Sequence, residues 1–159
     1  MSYGFFVPGE PKAQPRVKAA RRGGFVKVYT PGTADEWKNA IRVTARQFMP
    51  SEKLMGPLYL RLVFAMPRPQ RLQAKKYAQE TSRPHTSKPD IDNLAKAVMD
   101  SLDEWWGDDD QVVMIQASKW YARVGAESGV DINIYEINED PCHSRKVRLR
   151  PRSQRTSRV

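Results

Sequence analysis

Cysteine is almost missing from this chain. Cys142 is its only one in 159 residues, which excludes an internal disulfide framework and a multi-cysteine zinc site. Histidine is nearly as scarce: His85 and His143 leave little material for zinc or for a Ser/His/Asp or Cys/His arrangement. No apolar run is long enough to span a bilayer, since the best stretch, Leu58 to Met66, is interrupted by Arg61. Residues 1–6 have neither the basic start nor the long apolar segment of a signal peptide. A glycine-rich Walker loop is also missing, which disfavours nucleotide hydrolysis. These absences point to a soluble protein of the reducing cytoplasm with no membrane partner.

What is present is charge, unevenly spread. The formal net charge is +9, and residues 142–159 carry six arginines and Lys146 with no acid. Removing those seven cations leaves the body near +2. Such a tail reads as disordered, either a solubilising appendage or an arm adding salt-dependent affinity for nucleic acid; its arginines favour the arm. The body has a basic region of its own, Lys12, Arg16, Lys18, Arg21, Arg22 and Lys27, punctuated by Pro11, Pro15, Gly23 and Gly24 and so read as loop flanking strand.

A hydrophobic fraction of 40% and the chain length suit one domain with a real core, over residues 1–140, followed by the basic tail 141–159. Strands are predicted at 3–8 and 24–29. Thr33 and Glu36 have the spacing of a capping box opening a helix that runs to about Phe48 and stops before Pro50. Leu58, Leu60, Leu62 and Phe64 alternate along a strand closed by Pro67 and Pro69; residues 70–80 suit a short polar helix. A second long helix begins near Asp90, with Ile91, Leu94, Val98 and Leu102 as its buried stripe, and Gly107 breaks it. Strands follow at 112–121 and 130–137. The expected class is α+β: a single domain with a mixed sheet flanked by two long helices.

The acids concentrate where that second helix lies. Residues 90–110 hold eight carboxylates against one lysine. Taken singly, each has an ordinary explanation: Asp90 as a helix cap, Asp92 as a favourable charge in the first turn, Asp108–Asp110 as a polar loop. Taken together, carboxylates at both ends of one helix repel unless a cation separates them. Oxygen-only ligands select Mg²⁺ or Mn²⁺ over zinc, and the spacing does not match an EF-hand loop. Lys96, one turn beyond Asp92, suits either a phosphate oxygen or an ion pair with Asp92. A divalent cation in a basic protein suggests phosphodiester chemistry.

Lys88-Pro89-Asp90-Ile91-Asp92-Asn93-Leu94, then Lys96, Asp100 and Leu102, then Asp108-Asp109 with Gln111-Val112, resemble the signature of the RusA-type Holliday-junction resolvases. Gly9, Pro11, Pro15-Arg16, Tyr29-Thr30, Lys119 and Gly129-Val130 with Ile132 and Ile134 extend the likeness over roughly residues 3–137. The chain departs from the pattern in having Asp103-Glu104 after Leu102, where the family usually has Asn-Gly, and in placing a third acid, Asp110, in the loop.

The resemblance implies a small homodimeric endonuclease of DNA recombination and repair, of a kind common in prophages. It would cut four-way junction DNA by paired symmetric incisions with Mg²⁺, or Mn²⁺ in its place. Carried over by position, Asp90, Asp92 and Asp109 are the metal ligands and Lys96 the catalytic lysine, with Asn93 and Asp108 supporting. The choice of Asp109 over Asp110 rests on the distance to Gln111. Arg16, Lys18, Arg21, Arg22, Lys88 and Lys119 are the expected backbone contacts, which position DNA without reading sequence. Two other readings stay open: a nucleic-acid-binding module without catalysis, and a metal-dependent nuclease acting on flaps or forks.

Overall fold

Leu58, Leu60, Leu62, Phe64 and Met66 are buried on one side of a nine-residue strand, as their period-two spacing dictates. That strand is central in a computed structural model describing residues 1–22, 24–29 and 32–137. In chain order the elements are β1 (Ser2–Pro8), β2 (Lys18–Arg22), β3 (Phe25–Tyr29), α1 (Asp35–Arg46), β4 (Leu58–Met66), α2 (Ile91–Met99), β5 (Val112–Tyr121) and β6 (Gly129–Glu136). The main sheet has the order β1-β6-β4-β5; only β4 and β5 run parallel, while β2 and β3 pair with each other alone. The fold is mixed α+β, as expected. No helix among the described residues is long and apolar enough to cross a membrane. Cys142, His143 and the basic tail lie outside the described residues, as does Thr30.

The core forms where both helices cover one face of this sheet. Leu94, Val98 and Leu102 are fully buried along the stripe read from the sequence, and Ile91 is half-exposed at its end. From α1 come Trp37, Ile41 and Ala45, while Val43 and Phe48 are exposed. Trp105 and Trp106 are both 1% exposed and belong to this core, with Trp105 ring to ring against Phe5 and Tyr3.

Several local expectations fail for identifiable reasons. The Thr33–Glu36 capping box does not form: Ala34 is the N-cap, and backbone carbonyls of Gly32 and Ala34 accept from Asp35 and Lys38 instead. The segment 18–22, read as loop, is strand β2, because β3 supplies the pairing partner its composition does not reveal. Residues 70–80 contain two single 3₁₀ turns, Gln70–Leu72 and Lys75–Tyr77. Helix α2 stops at Met99, well before Gly107; Ser101 turns its hydroxyl back onto the Ala97 carbonyl at 2.6 Å, a local bond that competes with helix continuation.

Segment 83–85 clamps the far end of β5: the amide of His85 donates to Lys119 O, and that of Tyr121 to Arg83 O. The His85 ring is buried against Tyr121, with centroids 4.7 Å apart. Burial, then the nearby Lys119 charge, holds its pKa below the usual 6.5. The unfolded chain therefore takes up this proton first as pH falls. Stability should be full above about pH 6.5 and be lost as pH drops from there through the lowered folded value. Thermal unfolding followed between about pH 7.5 and 5.5 should show this loss. His85→Gln should flatten it, and an unchanged slope in that variant would refute the assignment.

Candidate active site

Helix α2 lies beside the edge strand β5, and the space between them is a cavity of about 510 Å³. Ile91-Asp92, Ala95-Lys96 and Met99-Asp100 line one wall, successive pairs one helical turn apart. Ile115 and Ala117 of β5 and Asp109 of the connecting loop complete it. Asp92, Lys96 and Asp109 are exposed to this space. Asp110, though exposed, is not part of the lining.

Asp109 is held from below. The buried Trp106 indole donates its N–H to Asp109 Oδ1 at 3.0 Å, so a core side chain sets the carboxylate's position. The loop itself is fixed by Gln111. Its Oε1 accepts from the Gly107 and Asp108 amides at 2.7 and 3.0 Å, while Nε2 donates to Leu54 O and Gly56 O at 2.9 and 3.1 Å. Asp108 caps this short turn by accepting from the Asp110 amide. The positioning roles of Trp106 and Gln111 are not visible in composition; the only hint in the sequence is their fixed distance from the acids.

Asp90 stands apart. It is the N-cap of α2, but its carboxylate makes no capping bond to the helix. It lines a second cavity, of about 580 Å³, with Lys88, Asn93, Lys12 and Arg16. The strap carrying Arg16 is tied to α2 by the Gln14 amide donating to Asn93 O at 2.9 Å. The two cavities thus flank the first turn of α2, with Asp92 on one side and Asp90 on the other.

The expected convergence of three carboxylates is not observed: among the described residues no group of three His, Cys, Asp or Glu side chains is arranged to hold a metal ion. Bare carboxylates repel, so exposed aspartates do not gather by themselves. The donor chemistry nevertheless fits a hard divalent cation, because Asp92 and Asp109 offer only oxygen to their shared cavity.

The remaining charged residues divide clearly. Arg16, Lys18, Lys88 and Lys96 are exposed and form no ion pair among the described residues. Arg21 and Arg22 lie on β2, and their side chains are outside what the structure describes. Lys119 donates its ammonium to Ser87 O and Pro89 O, both at 2.6 Å, and so braces the loop leading into Asp90. Asp100 also lines the first cavity, but Lys38 of α1 neutralises it at 3.2 Å.

Gln111→Leu keeps the side-chain size and removes all four of those hydrogen bonds. We expect it to lower unfolding stability by about 2 kcal/mol, read from the urea midpoint, because carbonyls and amides of the loop lose their partners. A midpoint equal to that of the unaltered protein would show that the loop is held by other means.

The family model for endodeoxyribonuclease RusA matches residues 8–135, which include both cavities. An uncharacterized protein of Bacillus subtilis (strain 168), YqaN, is 33% identical over 140 residues, covering 84% of this chain and 96% of that protein. With the matched region covering α2, the acidic loop and every strand but β1, the chain belongs to the RusA endodeoxyribonuclease family.

Proposed function

We propose that this endodeoxyribonuclease resolves four-way DNA junctions by Mg²⁺-dependent paired incision, acting in the cytoplasm as a homodimer. The observation that carries the reading is the cavity that Asp92, Lys96 and Asp109 line together, beside a second cavity lined by Lys88 and Arg16. Asp92 and Asp109 would hold the cation, while Asp90 stands in the neighbouring cavity with Lys88 and Arg16. Bound there, Mg²⁺ (or Mn²⁺) would neutralise phosphate charge and lower the pKa of a water.

The protein's own groups supply the rest. Lys96 places an ammonium one turn from Asp92, where it stabilises charge developing on the phosphoryl oxygens. Arg16, Lys18 and Lys88 grip the phosphodiester backbone near the cut, and Lys119 acts beneath them by fixing the 87–89 loop. Water attacks phosphorus, the P–O3′ bond breaks, and a 5′-phosphate and a 3′-hydroxyl result. A two-fold homodimer suits this task because a junction needs two matched cuts, which a symmetric pair of sites provides.

One assay separates this reading from its rivals. Four-way junction, fork and linear duplex of matched sequence are incubated with the protein, with Mg²⁺ and with EDTA. Cleavage is expected on the junction in Mg²⁺ alone, with duplex left intact. Asp92→Asn should reduce the rate by at least about a hundredfold while keeping junction binding, since only a carboxylate facing phosphate is lost. Preferential cutting of the fork would transfer the activity to flaps and forks. Binding without cleavage under any condition would leave a recognition module, and a wild-type rate in Asp92→Asn would remove the site.

A further inference from the structure

The hairpin of β2 and β3 is separate from the main sheet, and none of its described side chains belongs to the core. Its strands pair only with each other and are joined by Gly23-Gly24, with Gly24 at φ +85°, a backbone conformation that glycine adopts without strain. At this tip Phe25 is 82% exposed, the most exposed aromatic among the described residues, with Val26 at 64% beside it. A phenyl ring held in water forgoes the burial that would stabilise it inside, so its place at a projecting tip calls for a ligand that covers it only in the complex.

The surrounding charge says what that ligand is. Residues 11–34 carry six cations, Lys12, Arg16, Lys18, Arg21, Arg22 and Lys27, and no acid. A second copy of the hairpin would be repelled, and cores of protein interfaces are depleted in charge. A polyanion that also presents flat π faces satisfies both features, and that describes nucleic acid with an unstacked base. Continuous duplex offers no free base face; a branch point, where stacking is interrupted, does.

We propose that Phe25 is a base-stacking wedge which recognises the branch point of a DNA junction, while the basic strands hold the flanking phosphates. The proposal rests on the junction reading above and deepens it. Its geometry links tip to chemistry: the strap at the root of the hairpin lines the Lys88/Asp90 cavity and is bonded to Asn93, next to Asp92. A five-residue strand spans roughly 13 Å between its end residues, about the rise of four stacked base pairs, so the tip and the carboxylates address neighbouring nucleotides.

The test uses the full-length chain and junctions carrying 2-aminopurine either at the branch or in mid-arm, in Mg²⁺-free buffer. Binding should change the fluorescence of the branch probe and leave the mid-arm probe unaffected. Phe25→Ala should abolish that change and weaken junction affinity about five- to a hundredfold, with affinity for linear duplex and its salt dependence retained. Phe25→Trp should restore both. The wedge is overturned if Phe25→Ala gives the same branch response, if the unaltered protein gives none, or if the substitution instead changes the mass by sedimentation, which would make the tip a protein contact. Failure of the two readings is separable. Junction cleavage in Mg²⁺ with a response indifferent to residue 25 removes the wedge alone. A Phe25-dependent response from a protein that cuts nothing removes the nuclease reading alone.

Discussion

The parallel pairing of β4 with β5 is the constraint on which the site depends. Two adjacent parallel strands cannot be joined by a hairpin, so the chain must leave the end of β4, cross the sheet and return to its beginning. Helix α2 makes that crossing, and the return delivers the acidic loop beside residues 54–56, just before β4. Gln111 fastens it there through the carbonyls of Leu54 and Gly56, and the Trp106 indole fixes Asp109 from within the core. One topological requirement thus brings the helix that carries Asp92 and Lys96 alongside the loop that carries Asp109.

The eight acids of segment 90–110 do not share one role. Asp100 is neutralised by Lys38, and Glu104 by Arg46, whose hydrogen bond holds the Glu104 carboxyl below its usual range. Asp108 caps the short turn. What remains exposed to the cavities is Asp90, Asp92 and Asp109, the three positions implied by the family resemblance. Basic residues of α1 therefore cancel Asp100 and Glu104, while Asp90, Asp92 and Asp109 form no ion pair among the described residues. The lysines divide likewise: Lys119 holds a loop, whereas Lys96 and Lys88 stay exposed.

Much of this was readable from the chain. The alternation along β4, the stripe of Leu94, Val98 and Leu102, and the length of β5 are strong periodic patterns; β4 and β5 formed where theirs lay, and α2 formed over the first part of its stripe. Elements decided by distant partners were less legible. β2 needs β3, the first helix is capped by backbone where a capping-box spacing suggested side chains, and α2 ends early because Ser101 bonds back to Ala97. Of the candidate site, spacing and resemblance singled out the acids, which the structure divides between two cavities, Asp92 and Asp109 in one and Asp90 in the other. Its geometry was not legible: that α2's first turn separates Asp90 from Asp92, and that Trp106 and Gln111 position the loop, follows only from packing across long sequence distances.

The central claim is that Asp92 and Asp109, and not Asp110, offer their oxygens to one divalent cation. Mn²⁺ titration followed by electron paramagnetic resonance, on the full-length chain without DNA, tests it most directly. Asp92→Asn and Asp109→Asn should each weaken Mn²⁺ binding by at least about tenfold, and Asp110→Asn should leave it unchanged. Binding lost in Asp110→Asn but retained in Asp109→Asn would contradict the account.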